Sequence, residues 1–173
     1  MSGADPSLVN MRAMEPEDLD FLYDMENNRE LWGVGNTNVP YSRYVLHDYI
    51  ANASNDIYVD GQVRLVIENK MGKAVGVIDV VNFDPRHQRA EVSIAVAKEH
   101  RRHGYARAAV AKIKEYARQV LHVHMLYVVI SEENEASVAL FSNAGFALGG
   151  KLCGWLFDGS AYRDAILLQC FLS

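Results

Sequence analysis

The stretch Ser93-Ile94-Ala95-Val96-Ala97-Lys98-Glu99-His100-Arg101-Arg102-His103-Gly104-Tyr105-Ala106-Arg107 decides how the rest of the chain is read. Its first residues end an apolar run, Ala90 to Ala97, that predicts a strand. From about Gly104 to Val120 the spacing turns helical, with Ala106, Ala109, Val110, Ile113 and Ala117 on one face. A strand that passes through a short basic turn into a helix leaves several backbone N–H groups open at the helix N-terminus, and such donors favour an anion. Gly104 lets the main chain approach a ligand with no Cβ in the way, and Arg101, Arg102 and Arg107 supply charge suited to phosphate. A pyrophosphate fits this description; a solvated basic turn on the surface is the plainer alternative.

Toward the N-terminus, Leu8 to Met14 predicts a strand, and Pro16 with Glu17 and Asp18 starts a helix that runs to about Asn27. Glu30 to Val39 lacks a clear period and predicts a loop, a candidate substrate lip, before a second helix near Tyr41 to Ala53. Gln62 to Glu68, Ala74 to Phe83 and Ala90 to Ala97 predict an antiparallel meander with turns at Met71-Gly72 and Asp84-Pro85. Toward the C-terminus, Met125 to Ser131 predicts a strand. Asn134 then caps a short helix carrying Val138, Leu140 and Phe141, which Gly145 ends. Phe146 to Phe157 and Ala161 to Leu172 predict two strands joined at Asp158-Gly159. The expectation is a single α/β domain over residues 1–173, with flanking helices on a mixed sheet of about seven strands.

Composition narrows the function classes. With 173 residues, 50% of them hydrophobic, the chain buries a sizeable core as one domain. A net charge of −5 and the absence of an extended basic face argue against nucleic acid as partner. No leader-like segment or apolar run of bilayer length is present, so no membrane partner is expected and the cytoplasm is the expected location. With the turn at Asp158-Gly159, the residue facing Cys153 lies near Asp164, well short of Cys170, so both cysteines are expected free, as small apolar strand residues. The pairs His100/His103 and His122/His124 have no carboxylate or thiolate at ligand spacing, and no metal is expected. Gly33-Val34-Gly35 lacks the third glycine and the preceding strand of a dinucleotide fingerprint.

With Arg-Arg-His-Gly-Tyr-Ala at 101–106, Asn134, and Asn143-Ala144-Gly145-Phe146 in place, the chain resembles the GNAT acetyltransferase superfamily, whose signature is Arg/Gln-x-x-Gly-x-Gly/Ala. The likeness spans nearly the whole chain from Met11. It leans to the spermidine/spermine N-acetyltransferase branch through Asn27-Asn28, Arg89-Ala90-Glu91, Glu133-Asn134-Glu135 and Asp158-Gly159…Tyr162-Arg163-Asp164-Ala165. The resemblance implies a GNAT-like fold with two parallel strands splayed apart, acetyl-CoA as cosubstrate, and an acceptor that is a small amine, a polyamine first, or a protein N-terminus. It also implies a homo-oligomer. By the same resemblance Ile94, Ala95 and Val96 offer backbone to the pantetheine arm, and Arg101, Arg102, His103, Gly104, Tyr105, Ala106 and Arg107 hold the pyrophosphate. Asn134, Ser137, Phe141 and Asn143 line the other wall of the cofactor cleft.

An ammonium substrate must lose a proton before it attacks a thioester, and Glu91 matches the family's glutamate for that step; a solvated or ion-paired strand carboxylate is the alternative. The leaving thiolate has a conjugate acid of pKa ~8.5, so a proton donor helps its departure. Phe141 stands where the spermidine/spermine branch usually carries a donor tyrosine, and phenylalanine has no proton to give. Ser137 resembles the serine of the branch that acetylates ribosomal and other protein N-termini, and is the preferred substitute; its alternative is a helix-start serine bonded to backbone. Tyr105 and Tyr162 rank behind it. Asn38-Val39 replace the acidic stretch that precedes Pro-Tyr in the polyamine branch, leaving Asp48, Asp56, Asp60 and Glu91 as candidates for a cationic pocket. Phe141 also motivates a reading from another class, a CoA-binding module without turnover.

Overall fold

The computed structural model describes residues 3–28, 40–54 and 56–172; the expected lip at Glu30 to Val39, with Gly33-Val34-Gly35 inside it, lies outside them. In chain order come β1 (Val9–Ala13), α1 (Leu19–Glu26), α2 (Arg43–Asn52), α3 (Ile57–Asp60), β2 (Val63–Asn69), β3 (Ala74–Asp84) and β4 (Arg89–Val96). These are followed by α4 (Tyr105–Gln119), β5 (Met125–Ser131), α5 (Glu135–Asn143), β6 (Ala147–Phe157) and β7 (Tyr162–Phe171). The seven strands form one mixed sheet in the order β1-β2-β3-β4-β5-β7-β6, in which only β4 and β5 run parallel. The expected α/β architecture is the one observed.

Successive side chains of a strand point to opposite faces, and β2 and β3 use this to serve two cores. Ile67, Ile78 and Val80 face Val110 and Ile113 of α4, in a cluster that also holds Val92, Leu126 and Val128. Val66 and Val77 face the other way, onto Leu22 of α1 and Leu46 of α2. No helix among the described residues is long and apolar enough to cross a membrane.

Three sequence readings need correction. The one-turn helix α3 was not expected: four residues are too few for a period, and its ends rest on Asp56, which accepts from the Tyr58 amide at 2.9 Å, and on Gly61 at φ +70°. The β6–β7 connection spans 158–161 rather than two residues, because Phe157 pairs with Tyr162. There the Asp158 carboxylate accepts from the Ser160 amide and hydroxyl and the Ala161 amide, each at 2.9 Å, closing a wider turn than Asp-Gly alone suggests. Finally, Cys170 is a buried strand residue as expected, whereas Cys153 is exposed on the outer strand; both thiols are free.

Candidate functional site

β4 and β5 share only three rungs, Arg89 with Met125, Ala90 with Leu126 and Glu91 with Tyr127. Past Glu91 they part. Residues Val92 to Val96 stay on β3, and Val128 to Ser131 stay on β7, so two strand edges face each other without pairing. Backbone groups left open in this way need a partner, and an extended amide-bearing ligand can act as one. Ile94, Ala95 and Val96 lie on this opened part of β4.

The gap leads into the basic turn. Arg102 at φ +65° and Gly104 at φ +79° bend the chain so that Gly104 caps α4. Gly104 has no side chain, and no side-chain cap is made at the start of α4. Val96, His100, Arg101, Arg102, Gly104, Tyr105, Ala106 and Arg107 line one pocket of about 240 Å³; His103 is not among its lining residues. The structure adds a second reason for the glycine beside the expected one. Its left-handed backbone strains most other side chains, and a Cβ would sit 3.3 Å from Leu8 Cδ1, a tight contact, so the conformation favours glycine before any ligand arrives. Arg101 does more than supply charge, because its Nε donates to the Val96 carbonyl at 3.1 Å and ties the turn to the end of β4.

The opposite wall is α5. Asn134 caps it, its Oδ1 accepting from the Ser137 amide at 3.2 Å, so that side chain is committed to the helix start. The Ser137 hydroxyl is partly exposed and makes no hydrogen bond among the described residues. Phe141, expected in the cleft wall, is instead 3% exposed and packs edge-on against Phe146 at 5.1 Å, because it falls on the face of α5 turned to the core. Asn143 is exposed at the far end of α5. There Lys114 of α4 reaches across, its Nζ donating to the Ala144 carbonyl at 2.5 Å, a cation placed at a helix C-terminus.

Glu91 occupies the last rung before the strands part and is half-buried; one oxygen accepts from Asn82 Nδ2 at 2.7 Å. Its neighbour in that rung, Tyr127, escaped the sequence reading. Burial pushes the Tyr127 hydroxyl up, and the Glu91 charge pushes it further, so it stays protonated beside the carboxylate. A lone phenol in an otherwise aliphatic strand was the available signal. Of the four acids expected around a cation, Asp48 and Asp60 share a pocket of about 280 Å³ with Tyr49 and Arg64. Asp56 caps α3 and Glu91 stands apart on β4. Arg64 is bonded to Asp79 at 2.7 Å and to Glu26, which leaves Asp48 and Asp60 as the pocket's uncompensated charges among its described lining residues.

Comparison with known proteins bears on family and fold. The family described as acetyltransferase (GNAT) domain matches residues 9–147. A spermidine N(1)-acetyltransferase of Escherichia coli strain K12 is 29% identical over 164 residues, covering 94% of this chain and 86% of that one. Among solved structures, the spermidine N-acetyltransferase from Vibrio cholerae in complex with CoA and spermine superposes with a TM-score of 0.84 at 26% identity, over 96% of each chain. A dodecameric structure of spermidine N-acetyltransferase from the same organism gives 0.82 at 27% identity, over 96% of this chain and 95% of that one.

Proposed function

The chain belongs to the GNAT acetyltransferase family, and on that premise we propose that it transfers the acetyl group of acetyl-CoA to the primary amine of a small polyamine-like acceptor such as spermidine. The observation that carries this reading is the parting of β4 and β5 immediately after Glu91, beside a helix start that lacks a capping side chain. An amide-bearing arm fits the first feature and a pyrophosphate the second. The polyamine end rests on the relatives named as spermidine N-acetyltransferases, one of them solved with CoA and spermine, and on the acidic pocket of Asp48 and Asp60, whose charge suits a cation. The dodecameric relative supports a homo-oligomer.

In this mechanism acceptor and acetyl-CoA bind together and react directly, with no covalent enzyme intermediate. Glu91 takes the proton from the acceptor ammonium, directly or through water, while Asn82 fixes one of its oxygens. The amides of Tyr105 to Arg107, with Arg102 and Arg107, hold the phosphates and fix the thioester's reach along β4. Ser137, whose hydroxyl makes no hydrogen bond among the described residues, relays to the departing thiolate the second proton, which the nitrogen of the tetrahedral intermediate gives up, so that the serine hydroxyl is restored. Phe141 takes no part, being sealed in the core.

An acceptor screen that follows thiol release from acetyl-CoA, with spermidine and N-terminal peptides compared, tests the reading. Turnover on spermidine is expected, with Ser137→Ala lowering kcat by roughly 10²-fold at unchanged KM for acetyl-CoA. Turnover on peptides alone would move the acceptor to a protein N-terminus, and CoA binding without turnover on any amine would leave a binding module.

A further inference from the structure

His103 is exposed, yet it is not free to swing. Its Nδ1 is bonded to the His100 carbonyl at 3.1 Å, and its ring lies over that of Tyr105 with centroids 5.6 Å apart and planes only 18° from parallel. Tyr105 is itself half-buried against the main core and sits at the first position of α4, so the lower ring of the pair is fixed by packing. The left-handed residues on either side, Arg102 and Gly104, fold the chain back so that residue 103 covers residue 105. The outer face of His103 carries no other ring among the described residues. A fixed aromatic pair whose upper face is open to solvent is a stacking platform for a third ring.

Its place identifies that ring. Tyr105 lines the proposed phosphate pocket, and His103, stacked on Tyr105 and exposed, is not itself among that pocket's lining residues. A CoA thioester lying with its acyl end in that gap and its pyrophosphate in the pocket must continue outward into its adenosine. We infer that His103, stacked on Tyr105, is the binding surface for the adenine ring of the cosubstrate, and that it determines the preference for acetyl-CoA over shorter acetyl thioesters. This rests on the phosphate-pocket reading above and adds to it a residue outside that pocket.

Calorimetry on the full chain with CoA, 4′-phosphopantetheine and adenosine 3′,5′-bisphosphate separates the two ideas. Losing one stacked base contact should weaken CoA and the bisphosphate by roughly ten-fold in His103→Ala, with phosphopantetheine unchanged, whereas His103→Phe, which keeps a ring, should stay within about two-fold of the parent. Equal weakening of all three ligands would show that the variant merely deforms the turn, and no change in any would remove His103 from recognition; either outcome overturns the inference. If the unaltered protein binds neither CoA nor phosphopantetheine, the phosphate-pocket reading itself fails. Circular dichroism of both variants checks that the fold persists.

Discussion

Gly76 is buried on β3, and a Cβ built on it would lie 2.5 Å from the Ala95 carbonyl oxygen and 3.1 Å from Val96 Cα. Those two residues belong to the opened edge of β4, so the absence of a side chain on β3 sets where the proposed cofactor strand runs. Gly76→Ala must push β4 toward the gap or strain both strands. The expected result is a loss of about 1–3 kcal/mol in unfolding free energy, as for other overpacked positions, together with a several-fold rise in KM for acetyl-CoA. Denaturant unfolding and steady-state kinetics measure the two effects, and an unchanged KM in a destabilised variant would show that β4 does not move. Pattern alone could not reveal what this glycine does, because its effect depends on the position of a backbone oxygen on the neighbouring strand. Phe141 shows the same limit. Family likeness places it along α5, but only the packed helix shows that its ring meets Phe146 rather than the cleft.

At the scale of elements, β1, β2 and the turn leading into α1 are joined by Arg12, which bonds Asp18 at 2.7 Å and 2.9 Å and Glu68 at 2.7 Å. Burial alone raises the Asp18 carboxyl, but the Arg12 hydrogen bond and the Glu15 amide outweigh it and hold it below the usual carboxylate range. Asn10 and then Arg12 likewise depress Glu68. Carboxyls depressed in the folded state add stability that is complete above their unfolded pKa of about 4 and is lost as pH falls through their lower folded values. The network is therefore expected to give a flat stability between about pH 5 and 8 and a decline below about pH 4. Asp18→Asn should remove about 2 kcal/mol at neutral pH and flatten the acid decline, as measured by urea unfolding across that range. Most elements were legible from their pattern: α4 repeats small apolar residues on one face, β4 alternates, and β3 is an apolar run buried on both faces. What stayed hidden, α3 and the wider 158–161 turn, is built from single side-chain caps at Asp56 and Asp158, which leave no period to read. The parting of β4 from β5 was expected from family likeness alone, since a missing rung has no sequence signature of its own.

For the whole molecule, β6 ends the sheet order, leaving eleven residues of strand with one edge unpaired among the described residues. Along β6 and its hairpin partner, Leu148, Trp155, Phe157 and Tyr162 are 61–73% exposed. The lysine that would guard this edge, Lys151, is engaged with Glu132 and Asp164 at 3.3 Å each. A long edge with exposed aromatic rings and a neutralised lysine is a surface that natural proteins cover, and a second copy of the chain is the expected cover. Sedimentation should then give a mass above that of one chain, and Trp155→Asp combined with Phe157→Asp should reduce it to the monomer while circular dichroism remains native. A parent protein that sediments as a monomer, or a double variant of unchanged mass, would remove this face from assembly. The same hairpin holds the cleft: the Asp164 carbonyl accepts from the Glu132 amide at 3.2 Å, and Arg163 lies 3.5 Å from Glu133, so the turn that presents Asn134 leans on β7. Assembly through β6 would steady that turn, and the monomeric double variant is therefore expected to show a raised KM for acetyl-CoA as well as a lower mass.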